Sequence, residues 1–552
     1  MNKIFAAIGV NDFKSYMQKY FLPIFMLDFL VLFLFLFGFE NIYLKWLGVG
    51  LFFGVIGILF FYPVIIIDNQ TRDVEDTLHY FITYAGALST VNLDRRDMFT
   101  DLSEKVRYRE IAIAFKKLLY LVESIKIDFS TSAYKISSLY NSEHFSRFLE
   151  RMGIALSFNA NVGNFFITEQ RALMNSYAIV FKEGLERIKI VQDMFVSLIL
   201  AFAFVMATIL LMPFLTGIDG LIFLKFGIFG IIMLDMGVLA FTKFFLPVDK
   251  LYHDLGYDDG RKKVLIMFFI SIFLSLIMIP FIIYLDVSLI LKIAIIMTPF
   301  IFVGMYAGFE EKQVWKRDVL FPPFIRSLGD IHQSKGGTLT TTVETLLPHN
   351  FGILNGALER VYKRLKITKD KFNSWYYFNK ESGSALVAEF MDIFVSVIYR
   401  GGSAQVAGEI VSDNMSRING LRDMKKEYVS SLKGNVYGSF FGFALTIYIS
   451  LLISSLLMNI FTSMTEGVSG MALELIRGVI PVTVGASLDT SLNYVAIILL
   501  IHAFFSAWFL KIVDGGNFFS MFFDFVMMMW IGVVMEILLT LMFKSMFASY
   551  FI

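Results

Sequence analysis

Apolar positions along this chain fall into long runs interrupted by two polar blocks. A helix needs about 20 apolar residues to cross a hydrocarbon layer. Reading the chain by that length predicts roughly nine spans. They are residues 21–39, 46–67, 194–215, 221–245, 264–285, 289–308, 436–461, 492–513 and 518–543. The stretch 471–488 holds Gly478, Pro481 and Gly485 and reads as an interfacial or re-entrant piece rather than a further span. The run at 21–39 is long enough to span and lacks a small-residue cleavage site, so no cleavable signal peptide is expected. The chain thus divides into membrane helices at 1–67, 194–308 and 436–552, and polar domains at 68–193 and 309–435.

Inside the polar blocks the apolar residues return at helical spacing. Ile111, Phe115, Leu118, Leu119 and Val122 form one stripe; Ile179, Leu185, Ile188, Gln192 and Phe195 approximate another. Alternating strand patterns are scarce, so each block is expected to be a helical bundle with its own core. Pro322-Pro323 is expected to break the chain just after the sixth span.

The blocks are related. Phe81-Ile82 with Gly86 returns 243 residues later as Phe324-Ile325 with Gly329, and Ala160-Asn161-Val162 returns 244 residues later as Ala404-Gln405-Val406. The same offset carries the first pair of spans onto the third. The unit is therefore two spans, a polar block and one more span, repeated in parallel orientation. The fold class that follows is all-α: a polytopic helical membrane protein with two homologous helical-bundle domains. Parallel copies imply a rotation axis along the membrane normal.

Composition agrees with lipid as the main solvent. Hydrophobic residues make up 57% of 552, charged residues 17%, and the mean hydropathy is +0.68. Both blocks follow an even number of spans and so share one side. The segment 246–263 carries Lys250, Arg261, Lys262 and Lys263, and the N-terminus carries Lys3, Lys14 and Lys19. The other side has Glu40, Asp219, Asp286 and Glu466 against Lys45, Arg477 and Lys544. The positive-inside rule then predicts a multi-pass protein of the cell membrane with both large domains in the cytosol. A net charge of +1 gives no indication of nucleic acid as a partner. Without cysteine there is no disulfide, thiolate nucleophile or iron–sulfur cluster.

Catalytic chemistry is not written in the chain. The glycine-rich string that cradles nucleotide phosphates is absent; Lys335-Gly336-Gly337-Thr338 has its lysine on the wrong side. His-Glu-x-x-His is absent, and the six histidines lack ligand spacing, so no catalytic, cofactor or metal residues are assigned. Gly467-Val468-Ser469-Gly470 matches the Gly-x-Ser-Gly of rhomboid intramembrane proteases, but the serine falls in an outward loop and His502 is in the very next helix. Ionisable residues within spans are Asp28, Lys225, Asp235, His502, Asp524 and Glu536. They suit either a proton or ion path or burial against neighbouring helices, and Asp28, Asp235, Asp524 and Glu536 are the candidates. The second block carries 18 basic and 14 acidic residues, the first 16 and 17. Arg360, Lys363, Arg364 and Lys371 share roughly one face, and Arg422, Lys425 and Lys426 form a second set. A solvated or lipid-facing surface and a protein-docking surface are both open readings.

The layout resembles the type II secretion F / type IV pilus platform family, which joins membrane helices to two related helical cytosolic domains. Phe81, Ile82 and Gly86, with Phe324, Ile325 and Gly329, carry its pattern. The paired spans before each block resemble the archaeal branch, and most of all its archaellum platforms. The resemblance implies a non-enzymatic membrane platform that couples a separate cytosolic hexameric ATPase to insertion of pilin-like filament subunits and to rotation. With such a partner, the basic sets Arg360, Lys363, Arg364, Lys371, Arg422, Lys425 and Lys426, read from charge, become the candidate ATPase-docking residues; a homodimer is expected on family analogy. An adhesive-pilus or type II secretion platform is the near alternative. A secondary transporter is the alternative from another class, since internal repeats and membrane acids also suit one.

Overall fold

The computed structural model describes residues 21–38, 69–91, 93–216, 220–245, 249–256, 259–465 and 488–547, with isolated positions 17, 52, 55 and 59. The second expected span apart from those isolated positions, residues 471–487 and Ser469 lie outside the described residues. Among those described, the chain is helical, with one isolated bridge between Tyr252 and Ser384.

The chain divides into two compact units, one of residues 1–177 with 396–411 and the other of 178–395 with 412–552. In the first, helix α1 is Leu22–Gly38 and α2 covers 69–88. Then come α3 (Arg95–Glu104), a 3-10 turn at Val106–Tyr108, α4 (Arg109–Glu123), α5 (Phe129–Ser137), α6 (Glu143–Ser157) and the start of α7 (Val162–Thr216). Asp128 and Ser142 accept the backbone N–H groups of Thr131 and Phe145, capping α5 and α6. The core is aromatic: Phe81, Phe99, Phe115, Phe145, Phe148 and Phe166 are fully buried.

The second unit contains most of α7, α8 (Gly220–Phe245), α9 (Asp259–Ile283), α10 (Leu289–Met297) and α11 (Phe300–Lys335). After these come α12 (Leu339–Leu346), a 3-10 turn at Gly352–Leu354, α13 (Asn355–Ile367), α14 (Lys371–Ser382), most of α15 (Ala385–Tyr399) and most of α16 (Ala404–Thr465), the end of α15 and the start of α16 belonging to the first unit. The last two helices are α17 (Leu488–Asp514) and α18 (Met521–Met546). The order from α11 to α16 repeats the order from α2 to α7, 3-10 turn included. The offset of 243 also superposes buried positions: Ile111, Ala114, Phe115 and Leu118 fall on Leu354, Ala357, Leu358 and Val361, all buried.

Among the described residues six helices are long and apolar enough to cross a membrane, seven if α10 and α11 count as one span bent by 43°. The sequence count of about nine is therefore met by seven here, plus the short α1 at the first predicted span. On α9 the rings of Phe269, Phe273 and Phe281 are exposed, a surface suited to lipid rather than water.

The bend falls at Thr298-Pro299, where proline supplies no N–H. Serines on α9 occupy the carbonyls at the break: Ser271 Oγ donates to Pro299 O at 3.0 Å and Ser275 Oγ to Ile296 O at 2.7 Å. The expected break at Pro322-Pro323 does not occur; α11 runs through both prolines. Pro322 cannot donate to the carbonyl of Asp318, and Asn419 Nδ2 of α16 donates to it instead at 2.7 Å. Asn419→Ala should cost about 1–3 kcal/mol by stranding that buried carbonyl, read as a lowered apparent Tm. A second correction concerns the stripe of α7: Leu185, Ile188, Gln192 and Phe195 are buried, but Ile179 is 59% exposed.

Candidate functional site: a charged junction beside the membrane helices

The ends of the apolar segments bring several charged residues together within the second unit. Asp318 on α11 is 0% exposed and Arg422 on α16 is 5% exposed. Arg422 donates from NH1 to Asp318 Oδ2 at 2.9 Å and from NH2 to Asp249 Oδ1 at 2.6 Å and the Lys250 carbonyl at 2.9 Å. Ser384, the cap of α15, donates to the other Asp318 oxygen while accepting from Val387 N–H. One guanidinium thus joins α11, α16 and the segment 249–256, and that segment joins α15 through Ala385 N–H to the Leu251 carbonyl at 2.9 Å. Burial pushes the Asp318 carboxyl up to about 6, opposed by Arg422 and the Ser384 hydroxyl. The pair is a buried ion pair whose desolvation is offset only while both partners are present.

The other copy contains the same idea without the arginine. Ser142, the cap of α6, donates to Glu75 at 2.5 Å. Glu75 lies 243 residues before Asp318, and Ser142 lies 242 before Ser384. The position 244 before Arg422 is Ala178. The carboxylate-to-cap link is thus present in both copies, and the guanidinium in one.

Next to the triad, Lys511 at the end of α17 reaches Glu311 of α11 at 2.7 Å and Asp514 at 3.2 Å. Lys425 lies 3.7 Å from Asp249, and Lys426 sits 3.3 Å from the centre of the Trp315 ring. Of the second predicted basic set, Arg422 is buried against two carboxylates and Lys425 is largely buried beside Asp249, whereas Lys426 is exposed with its ammonium over the Trp315 ring. The expectation of one exposed face is thereby corrected for Arg422 and Lys425.

The first set stands apart on α13. Arg360 Nε donates to Glu381 Oε2 at 2.7 Å, and Arg364 pairs with the other oxygen of the same carboxylate. Lys363 is exposed and makes no ion pair among the described residues. Lys371 does not extend this stripe, because its ammonium caps the Leu365 carbonyl.

The acids in the apolar segments are separated and mostly partnered. Asp235 of α8 meets His502 Nδ1 of α17 at 3.1 Å, with both residues buried. Phe195, Phe440 and Phe443 wall the imidazole, and Ser506 Oγ is 3.5 Å from its other nitrogen. This closed packing suits a polar tie between two helices. Asp524 accepts from Tyr437 at 2.7 Å and pairs with Lys433 at 2.6 Å. Glu536 accepts from Ser288 at 2.7 Å. Asp28 on α1 has one oxygen without a hydrogen-bond partner among the described residues. Within the second unit Asp235, Asp524 and Glu536 each have a different partner.

The sequence reading missed Asp249, Glu311, Asp318 and Lys511. The repeat held a signal for one of them, since its offset aligns Glu75 with Asp318.

Among known proteins, a flagella accessory protein J of Methanocaldococcus jannaschii is 30% identical over 485 residues, covering 85% of each chain. Another flagella accessory protein J, from Methanococcus voltae, is 27% identical over 552 residues, covering 97% of this chain and 96% of its own. No protein-family model and no solved structure matches. Similarity over most of both chains, together with membrane-capable helices and repeated bundles, places this membrane protein in a family: it belongs to the flagella accessory protein J family, the archaellum platform proteins.

Proposed function

We propose that the chain is the membrane platform beneath an archaellum filament, and that it passes the work of a separate cytosolic hexameric ATPase to filament-subunit insertion and rotation. It is read as a non-enzymatic coupler. The observation that carries this reading is the pair of uninterrupted helices α7 and α16, of 55 and 62 residues. At 1.5 Å per residue their lengths along the helix path are about 80 and 90 Å. Each begins in a polar bundle and continues as an apolar membrane segment, so a push on the bundle need not cross a loop. The relatives' description as flagella accessory proteins favours this role over an adhesive-pilus platform.

The reading requires both bundles on the ATPase side. Ser138 and Ser334 are exposed, whereas Ser103 and Ser382 are buried. Cysteines placed singly at Ser138 and Ser334 should react with an impermeant maleimide in inside-out vesicles and be protected in intact cells. Labelling of either from outside would reject the topology. The role itself is tested by purifying the chain from native membranes: the ATPase should accompany it, and recovery without any motor component would count against coupling.

A further inference from the structure

Beside the buried triad lies a cavity of ≈ 300 Å³ lined by Lys312, Trp315, Arg422, Lys425 and Lys426 together with Asp249, Glu311 and Asp514. Its acids are already matched. Asp249 takes Arg422 and Lys425, while Glu311 and Asp514 share Lys511. Lys312 makes no hydrogen bond or ion pair among the described residues, and Lys426 has only the face of Trp315. The indole Nε1 of Trp315 is buried without a hydrogen-bond acceptor. The wall therefore has donors without a hydrogen-bond acceptor at Lys312, Lys426 and the Trp315 indole. Loss of solvation pushes the Lys426 ammonium down to about 8, opposed by Asp423 and Asp514. A bound anion would relieve that cost.

The turn after α17 closes the cavity. Gly515 and Gly516 have φ of +83° and +82°, and a Cβ at Gly516 would lie 2.6 Å from Glu311 Oε1. A second cavity of ≈ 310 Å³ shares Gly308, Glu311 and Asp514 in its wall. The second cavity adds apolar Met305, Val429, Leu510 and Phe523 on one hand and the paired Lys433 and Asp524 with Lys511 on the other. A basic chamber thus adjoins a partly apolar one where the apolar segments end.

We propose that this pair of cavities binds an anionic phospholipid, with its phosphate against Lys312 and Lys426 and its glycerol and upper chain against Met305, Leu510 and Phe523. Ammonium groups and an indole N–H suit phosphate oxygens, and basic pockets between helices at the interface suit lipid headgroups. The apolar neighbour favours a lipid over a soluble phosphate. Occupancy would join α11, α16 and the α17–α18 turn, and the inference stands whether or not the chain docks an ATPase.

The test uses the full-length protein in detergent, with added phosphatidylglycerol, phosphatidylcholine or soluble glycerol 1-phosphate. Phosphatidylglycerol should raise the apparent Tm and stay bound in native mass spectrometry; phosphatidylcholine should do neither. Lys312→Ala/Lys426→Ala should weaken phosphatidylglycerol binding about tenfold or more, while Lys363→Ala, on α13, leaves it unchanged. Lys312→Gln alone, at an exposed position, gives an intermediate loss and covers the case in which the double variant does not fold. Equal effects of both phospholipids, or undiminished binding by the variants, would overturn the site. An equal effect of glycerol 1-phosphate at the same concentration would overturn the lipid assignment.

Discussion

Arg422→Ala is expected to lower stability by about 3–5 kcal/mol at pH 7, because it takes from the buried Asp318 carboxylate the main charge that offsets its desolvation. The pH dependence separates this from simple loss of packing. In the native protein Asp318 titrates at about 6, above its ordinary value of 3.8. The folded state therefore binds this proton more tightly than the unfolded state. The stabilisation that this brings is complete in acid, below 3.8, and is lost as pH rises through 6. Removing Arg422 removes the main group opposing the rise, so the folded value moves higher still. The deficit relative to the native protein should be largest above pH 7 and should shrink toward pH 5, where the carboxyl is protonated and needs no cation. Arg422→Met/Asp318→Asn should recover most of the loss at pH 7, since a buried pair replaced as a whole leaves no unmatched charge. Apparent Tm in detergent across pH 5–8 would show it. A loss independent of pH would mean that Arg422 contributes packing alone.

What the sequence made legible follows from the range of the forces involved. Hydropathy is a property of contiguous residues, so the apolar runs at 194–215, 221–245 and 492–513 appear as helices close to the expected places. The repeat was visible because core positions such as Phe81 and Phe324 must be refilled in each copy. Proline was misread for the opposite reason. Locally Pro322-Pro323 removes two donors, but Asn419, some hundred residues later, supplies a replacement for the Asp318 carbonyl. The burial of Arg422 and Lys425 is hidden from the sequence in the same way. Arg422, Lys425 and Lys426 look like a surface stripe when only i and i+4 are considered. Their environment depends on Asp249, Asp318 and Trp315, which pattern within one helix cannot bring in. Ile179 fails because α7 outlasts any single stripe of 3.6 periodicity.

Reversing the remaining exposed stripe should reduce ATPase binding by at least about tenfold, chiefly through slower association, and should abolish filament assembly. The stripe is Arg360, Lys363 and Arg364 on α13, whose opposite face buries Ala357, Leu358, Val361 and Leu365. A surface that engages and releases a partner in each cycle should be polar, because a large apolar face would hold too long and expose a sticky patch when free. The repeat shows where the copies diverge. At the 243 offset Lys117 stands for Arg360, Tyr120 for Lys363 and Leu121 for Arg364, and Tyr120 is 60% exposed. The cationic stripe therefore belongs to the second bundle alone. Glu381 dictates how the variant must be built. Arg360 and Arg364 both rest on its carboxylate, so turning three bases into glutamate would crowd four acids on one surface and could loosen α14. Arg360→Glu, Lys363→Glu and Arg364→Glu combined with Glu381→Arg keeps opposite charges facing each other while reversing the sign presented outward. This quadruple variant should insert into the membrane and melt like the native protein, yet fail to retain the ATPase. Wild-type binding should weaken with added salt, since exposed charges are screened over about 8–10 Å at physiological ionic strength. Normal retention of the ATPase by the quadruple variant would assign the stripe to solvent or lipid and move the docking surface elsewhere.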